Sequence, residues 1–226
     1  MSSCVLVGDR TVELIELDAA RVEDSLVRTP HGEVSALGGY CESLGLARPA
    51  RTTALLSYGA NASPEALVRK LGREAVVAIE LTSAADLDVV YSAHVSPSGG
   101  LGAALQASPG TVVEVAVVHL GDDDLAAVDA TEPNYDRRTL PALGIEAYVS
   151  KHGCLTLDGA NVALAAVPAR ARRLPELATI DAVDAVRRRL APDRDLESFV
   201  AENVADRELA AERTAVLRAE ALPFEP

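Results

Sequence analysis

A chain of 226 residues with a formal net charge of −13 and no basic stripe to offset it would repel a phosphate backbone, which argues against DNA or RNA as partner. Two Phe, five Tyr and no Trp leave few platforms for stacking single-stranded bases, and the lack of any apolar run of about 18 residues argues against a membrane span. Apolar residues, nearly all Ala, Val and Leu, make up 49% of the chain, enough for a sizeable core.

Taken in chain order, residues 4–17 read as a hairpin, with β-rich runs at 4–7 and 11–15 and Gly8-Asp9-Arg10 as the turn. Residues 18–50 carry Pro30, Gly32, Gly38, Gly39 and Pro49 and read as irregular, with one short helix. A short apolar strand, Ala54-Leu55-Leu56-Ser57-Tyr58, then runs into the turn Gly59-Ala60-Asn61. A helix follows: Ser63 is its N-cap, Pro64 its first helical residue and Gly72 its end. A strand, a tight turn and a helix N-terminus in succession aim backbone N–H groups at one spot and favour negative charge there.

Strands are expected at 76–81 and 87–95, then a loop at Ser96-Pro97-Ser98-Gly99-Gly100, a short strand at 101–106, a turn at Ser108-Pro109-Gly110 and a Val-dense strand at 111–120. Residues 122–130 read as a short helix with acidic residues in its first turn, followed by Glu132-Pro133-Asn134-Tyr135. Strands come next at 137–150 and 154–167, with Asp158-Gly159 as a hairpin turn. Apolar spacing gives helices at 180–186 and 196–218. Strands in the middle and helices late make an α+β arrangement. By chain order the domains are an N-terminal extension (1–50), a core (51–170) and a helical C-terminal extension (171–226).

Two basic clusters, Arg170 to Arg173 and Arg187 to Arg189, lie among acidic neighbours and read as solvated helix faces. Cys4, Cys41 and Cys154 show no CxxC spacing, and His31, His94, His119 and His152 show no HxxxH pair, so neither a disulfide framework nor a metal site is expected. The opening residues lack a charged region followed by a long apolar run, so no secretory signal is expected, and a reducing cytoplasm fits the cysteine usage.

Three segments between residues 54 and 167 together resemble the γ-glutamylcyclotransferase-like family. Tyr58-Gly59-Ala60-Asn61 is similar to that family's Tyr-Gly-Ser-Asn loop. Gly99-Gly100-Leu101, Ser108-Pro109-Gly110 and the Val-rich strand after them are similar to its Gly-Gly strand and Pro-Gly turn. Val128-Asp129-Ala130-Thr131-Glu132, then Tyr135 and Arg137 or Arg138, is similar to its Leu-Asp-x-x-Glu helix end.

The resemblance implies a mixed barrel or sheet with flanking helices. It also implies an enzyme that needs no cofactor or metal, in which the α-amine of a γ-glutamyl group attacks its own γ-carbonyl. 5-Oxoproline and a free amine or amino acid are released. Glu132 is then the catalytic proton carrier, and Tyr58, Gly59, Ala60, Asn61 and Tyr135 line the substrate site. The expected partner is a small γ-glutamyl compound, and the helical C-terminus is a candidate surface for a homodimer.

The chain departs from the family pattern where Ala60 replaces Ser, losing a hydroxyl, and in the short link from Glu132 to Tyr135. Each site residue also has a packing reading: Tyr58 and Tyr135 as core aromatics, Asn61 as a turn cap, Asp129 and Glu132 as helix-end charges. A binding or regulatory protein on the same scaffold is the alternative function.

Overall fold

The computed structural model describes residues 2–47 and 51–224, so Pro49, one of the turn-forming residues of the segment 18–50, lies outside it. In chain order the described elements begin with strands β1 (Cys4–Val7), β2 (Arg10–Glu16), β3 (Leu26–Arg28) and β4 (Val34–Ala36), then helix α1 (Leu37–Ser43). Next come β5 (Thr53–Ser57), α2 (Pro64–Leu71), β6 (Val76–Val95), β7 (Leu101–Leu120), α3 (Asp122–Ala130), β8 (Tyr135–Leu140) and β9 (Ile145–Ser150). The short strands β10 (Thr156–Leu157), β11 (Ala160–Asn161), β12 (Ala163–Leu164), β13 (Ala169–Arg170) and β14 (Glu176–Leu177) precede helices α4 (Thr179–Leu190), α5 (Leu196–Ala205) and α6 (Arg207–Arg218). Six α-helices and a large mixed sheet among the described residues make an α+β protein.

The chain divides into two compact units, each built from two stretches: residues up to Ser83 with Val115–Tyr148, and Ala84–Glu114 with residues from Val149 onward. The sequence segments 1–50, 51–170 and 171–226 follow chain order, whereas these units interleave, because β6 and β7 each divide between them.

In the first unit the strand order is β4-β3-β2-β1-β6-β7-β5-β9-β8. β5 runs antiparallel to β7 (Leu55 opposite Val118) and parallel to β9 (Leu56 opposite Ala147). This sheet is covered on both faces, which is why β1 and the start of β6 read as unbroken apolar runs. Strand alternation sends Cys4 and Leu6 into one cluster with Leu67 of α2 and Leu125 and Val128 of α3. Val5 and Val7 enter the other, with Leu37, Tyr40 and Cys41 of α1. In the second unit, Tyr91, Ala93 and Val95 of β6 pack with Val183 and Val186 of α4, Phe199 of α5 and Leu217 of α6.

Capping chemistry sets the helix ends. Ser63 Oγ accepts from Ala66 N at 3.4 Å, Pro64 opens α2, and Gly72 closes it at φ +85°. The helical stretch read as 196–218 is two helices, because Asp206 leaves the helical region and caps α6 by accepting from Glu208 N and Leu209 N, each at 3.0 Å.

Several expectations are corrected. The pairs of strands read at 76–81 and 87–95, and at 101–106 and 111–120, are single strands of 20 residues each. Ser108-Pro109-Gly110 is not a turn. Gly110 takes φ +85° inside β7 and its N–H donates to Asp86 Oδ1 at 2.7 Å, while Asp86 takes φ +60° inside β6, so both strands carry a positive-φ residue without breaking. Residues 18–50 hold β3 and β4 besides the short helix α1.

The cluster Arg170 to Arg173 is not a helix face. Arg170 lies in β13, and Arg172 is partly buried, paired with the buried Asp88. Two of the four histidines meet, with the His94 and His152 rings 5.0 Å apart in the second unit. All three cysteines are buried and unbridged, and burial pushes the Cys154 thiol up to about 12. No helix among the described residues is long and apolar enough to cross a membrane.

Candidate active site

The site is assembled in the first unit by the turn between β5 and α2, the last turn of α2, and the exit from α3. After β5 the chain passes Tyr58 and Gly59 into a single 3₁₀ turn, Ala60–Ala62, closed by Ala62 N to Gly59 O and Ser63 N to Ala60 O, both 3.0 Å. Pro64 has no N–H and Ser63 accepts from Ala66 N through both its Oγ and its carbonyl, so neither position of α2 is an open donor. The N–H groups of Gly59, Ala60 and Asn61, one step earlier, donate to no group among the described residues. They are the backbone donors the turn leaves available. Gly59 sits at φ −138°, so its φ does not demand glycine.

Glu132 follows α3. Thr131 ends the helix, Glu132 N donates to Asp129 O at 3.1 Å, and Tyr135 N donates back to Glu132 O at 3.1 Å, so the carboxylate stands at the head of a turn into β8. α2 and α3 both contribute to the core cluster that includes Leu55, and this brings Asn61 and Glu132 together across 71 residues of chain. Asn61 Nδ2 donates to Glu132 Oε1 at 3.0 Å.

A third side chain completes the arrangement. Lys70, in the last turn of α2, donates from Nζ to Glu132 Oε1 at 2.6 Å and to Asn61 Oδ1 at 2.7 Å. The three groups form a closed ring in which each contacts the other two. Asn61 is buried, and the Lys70 and Glu132 side chains are 17% and 14% exposed. At that depth the ion pair is screened far less than a surface one, and the Asn61 amide holds it in one geometry.

The other expected site residues fall into two groups. Tyr135 packs against the same core, and burial, followed by the Glu132 carboxylate, pushes its hydroxyl well above the ordinary tyrosine value. It therefore stays protonated beside Glu132 at any working pH. The Tyr58 hydroxyl donates to the backbone carbonyl of Tyr148, and the Tyr148 hydroxyl donates to Asp129 Oδ1 at 2.7 Å. Arg137 pairs with Asp129 at 3.1 Å and with Glu146, while Arg138 pairs with Asp136 at 2.9 Å near solvent. Tyr58, Tyr148, Asp129 and Arg137 thus brace β5, β9, α3 and β8 around the ring. Ala60 contributes backbone to the turn.

Sequence reasoning missed Lys70 and Tyr148. Lys70 was legible only as a basic residue near a helix C-terminus, a favourable place for any cation. One signal was on hand: lysine occurs only twice, at 70 and 151, in a chain that otherwise uses arginine for its positive charge. A lysine offers three rotatable donors on a flexible stem where arginine offers a fixed fork.

Among the described residues no group of three or more His, Cys, Asp or Glu is placed to hold a metal ion. No family model matches this chain, and no curated protein matches it. Among solved structures, that of the uncharacterized human protein loc79017 is similar at 14% identity with a TM-score of 0.35, over 78% of this chain and 91% of that one. A likeness at that level fixes neither the family nor the activity.

Proposed function

We propose that the protein is a γ-glutamylcyclotransferase-type enzyme, with Glu132 carrying the protons. The observation that supports this most is the 3.0 Å hydrogen bond from Asn61, the last residue of the Tyr58-Gly59-Ala60-Asn61 turn, to the Glu132 carboxylate. In this reaction the α-nitrogen bonds to the γ-carbonyl carbon and the γ-amide C–N bond breaks. The α-ammonium gives up two protons in all, and both finish on the departing nitrogen, which leaves as an ammonium. One carboxylate within reach of both nitrogens can ferry them in turn. The tetrahedral oxyanion needs donors that are in place beforehand, and the open N–H groups of Gly59, Ala60 and Asn61 are suited to that. Protonated Tyr135 is a further donor beside the carboxylate. Because the attack is intramolecular, holding the substrate folded supplies much of the acceleration.

The test is release of 5-oxoproline by the purified protein from a panel of γ-glutamyl amines and dipeptides. Glu132→Gln keeps an acceptor for Lys70 and Asn61 and preserves the fold, yet it lowers turnover by at least about 100-fold. Undiminished turnover in that variant sinks the mechanism. A second reading, ligand binding without turnover, draws on one observation: the Glu132 carboxylate already holds a cation, Lys70. Thermal stabilisation by γ-glutamyl compounds with no product across the panel would favour it.

A further inference from the structure

Lys70 Nζ is a primary ammonium held by Glu132 Oε1 at 2.6 Å and Asn61 Oδ1 at 2.7 Å. The α-ammonium of a γ-glutamyl group is the same functional group, and in the reaction proposed above it must approach the same carboxylate. Resting on that reading, we propose that the position of Lys70 Nζ marks the α-ammonium subsite, and that Lys70 yields it to the substrate and takes the substrate's α-carboxylate in exchange. Lys70 is thereby the residue that selects γ-glutamyl groups over analogues without an α-carboxylate.

Charge balance drives the exchange. Two ammonium groups cannot share one partly buried carboxylate without strong mutual repulsion. The incoming group brings its own anion one carbon away from its ammonium, so the ring expands from one cation and one anion to two of each, with opposite charges adjacent. The distance is short enough for a lysine stem to follow, since a carboxylate oxygen lies within about one hydrogen-bond length of the α-nitrogen of the same amino acid.

The surrounding charges leave few other cations for the task. Arg137 is held by Asp129 and Glu146, and Arg138 pairs with Asp136 close to solvent. The chain's net charge of −13 gives a substrate carboxylate no general attraction, so a local cation has to supply it. An analogue lacking the carboxylate would displace Lys70 from Glu132 and leave its ammonium partly buried and unpaired. Such an unpaired group is the kind of penalty that gives large discrimination.

The experiment compares γ-glutamylalanine with 4-aminobutyrylalanine, which closes to 2-pyrrolidinone, using the full chain as wild type, Lys70→Met, Lys70→Gln and Lys70→Arg. Wild type favours the γ-glutamyl substrate by about 1,000-fold or more in kcat/KM. Lys70→Met and Lys70→Gln raise KM for it about 100-fold, with a smaller change in kcat, and lower kcat/KM for the 4-aminobutyryl substrate far less, so the preference collapses. Lys70→Arg retains part of the preference. Affinity for the products reads the same selection without turnover: wild type binds 5-oxoproline far more tightly than 2-pyrrolidinone, and Lys70→Met and Lys70→Gln lose that gap. Wild-type turnover with equal losses on both substrates, or with no loss, overturns the role of Lys70 and leaves the cyclotransferase reading standing. No 5-oxoproline from wild type overturns both. Melting curves identify any variant that fails to fold, and the selection is then read from the remaining ones.

Discussion

Arg172 and Asp88 form a two-pronged ion pair in the second unit: Arg172 Nε and Nη2 donate to the Asp88 carboxylate at 2.9–3.2 Å, and Asp88 is fully buried while Arg172 is partly so. Arg172 Nη2 also donates to Val167 O at 2.8 Å, and Arg172 Nη1 reaches Glu176 at 2.6 Å, so the guanidinium ties β6, β14 and the approach to β13 together.

Breaking this pair from one side leaves a charge in the interior. Arg172→Met is expected to destabilise the protein by about 3–5 kcal/mol, read by urea unfolding. The double variant Arg172→Met with Asp88→Leu removes both charges and recovers most of that loss. A double variant as unstable as the single one would show that the arginine acts through its bonds to Val167 and Glu176.

Acid should weaken the second unit through its histidines. Burial first, and His152 second, push the His94 imidazole down to about 4. Burial, followed by Arg218 and Lys151, lowers His152 as well. A base whose value is depressed in the folded state is protonated more readily in the unfolded chain. Its neutral form therefore contributes full stability above about pH 6.5, and that stability is lost as pH falls from about 6.5 toward 4. For His94 the loss reaches about 3 kcal/mol. Urea midpoints measured between pH 7.5 and 4.5 check this, and His94→Gln should flatten the slope. An unchanged slope in that variant assigns the effect elsewhere.

The tyrosines around the ring separate bracing from binding. Tyr148→Phe removes the 2.7 Å bond to Asp129 and is expected to cost about 1–2 kcal/mol, since Asp129 keeps Arg137. Tyr58→Phe removes the bond to the Tyr148 carbonyl and is expected to cost about 1 kcal/mol. Both changes should appear in thermal melts, with KM for γ-glutamyl substrates moving less than about threefold in Tyr58→Phe. A larger rise in KM at full stability would place the Tyr58 hydroxyl on the substrate.

Elements with chemical punctuation were legible in the sequence. Ser63-Pro64 and Gly72 bracket α2, and Asp158-Gly159 joins β10 to β11 with both residues at positive φ, as the two-residue hairpin turn requires. The same punctuation misled at Ser108-Pro109-Gly110, because glycine supplies a positive φ inside a strand as readily as in a turn. β3 and β4 have three residues each, too few to show alternation. The meeting of Asn61 with Glu132 is tertiary and carries no local signal. Only the family likeness pointed to both residues, and nothing in it pointed to Lys70.

The interleaving of the two units has a consequence for vectorial synthesis. Residues 84–114 leave the ribosome before the stretch Val115–Tyr148 that completes the first unit, and before every later residue of the second. The first unit's chain is therefore complete while residues 84–114 have nothing of their own unit yet to pack on, and that half of a long hairpin waits with open edges. Simple truncation is ruled out for the same reason: no single cut in this chain frees either unit whole.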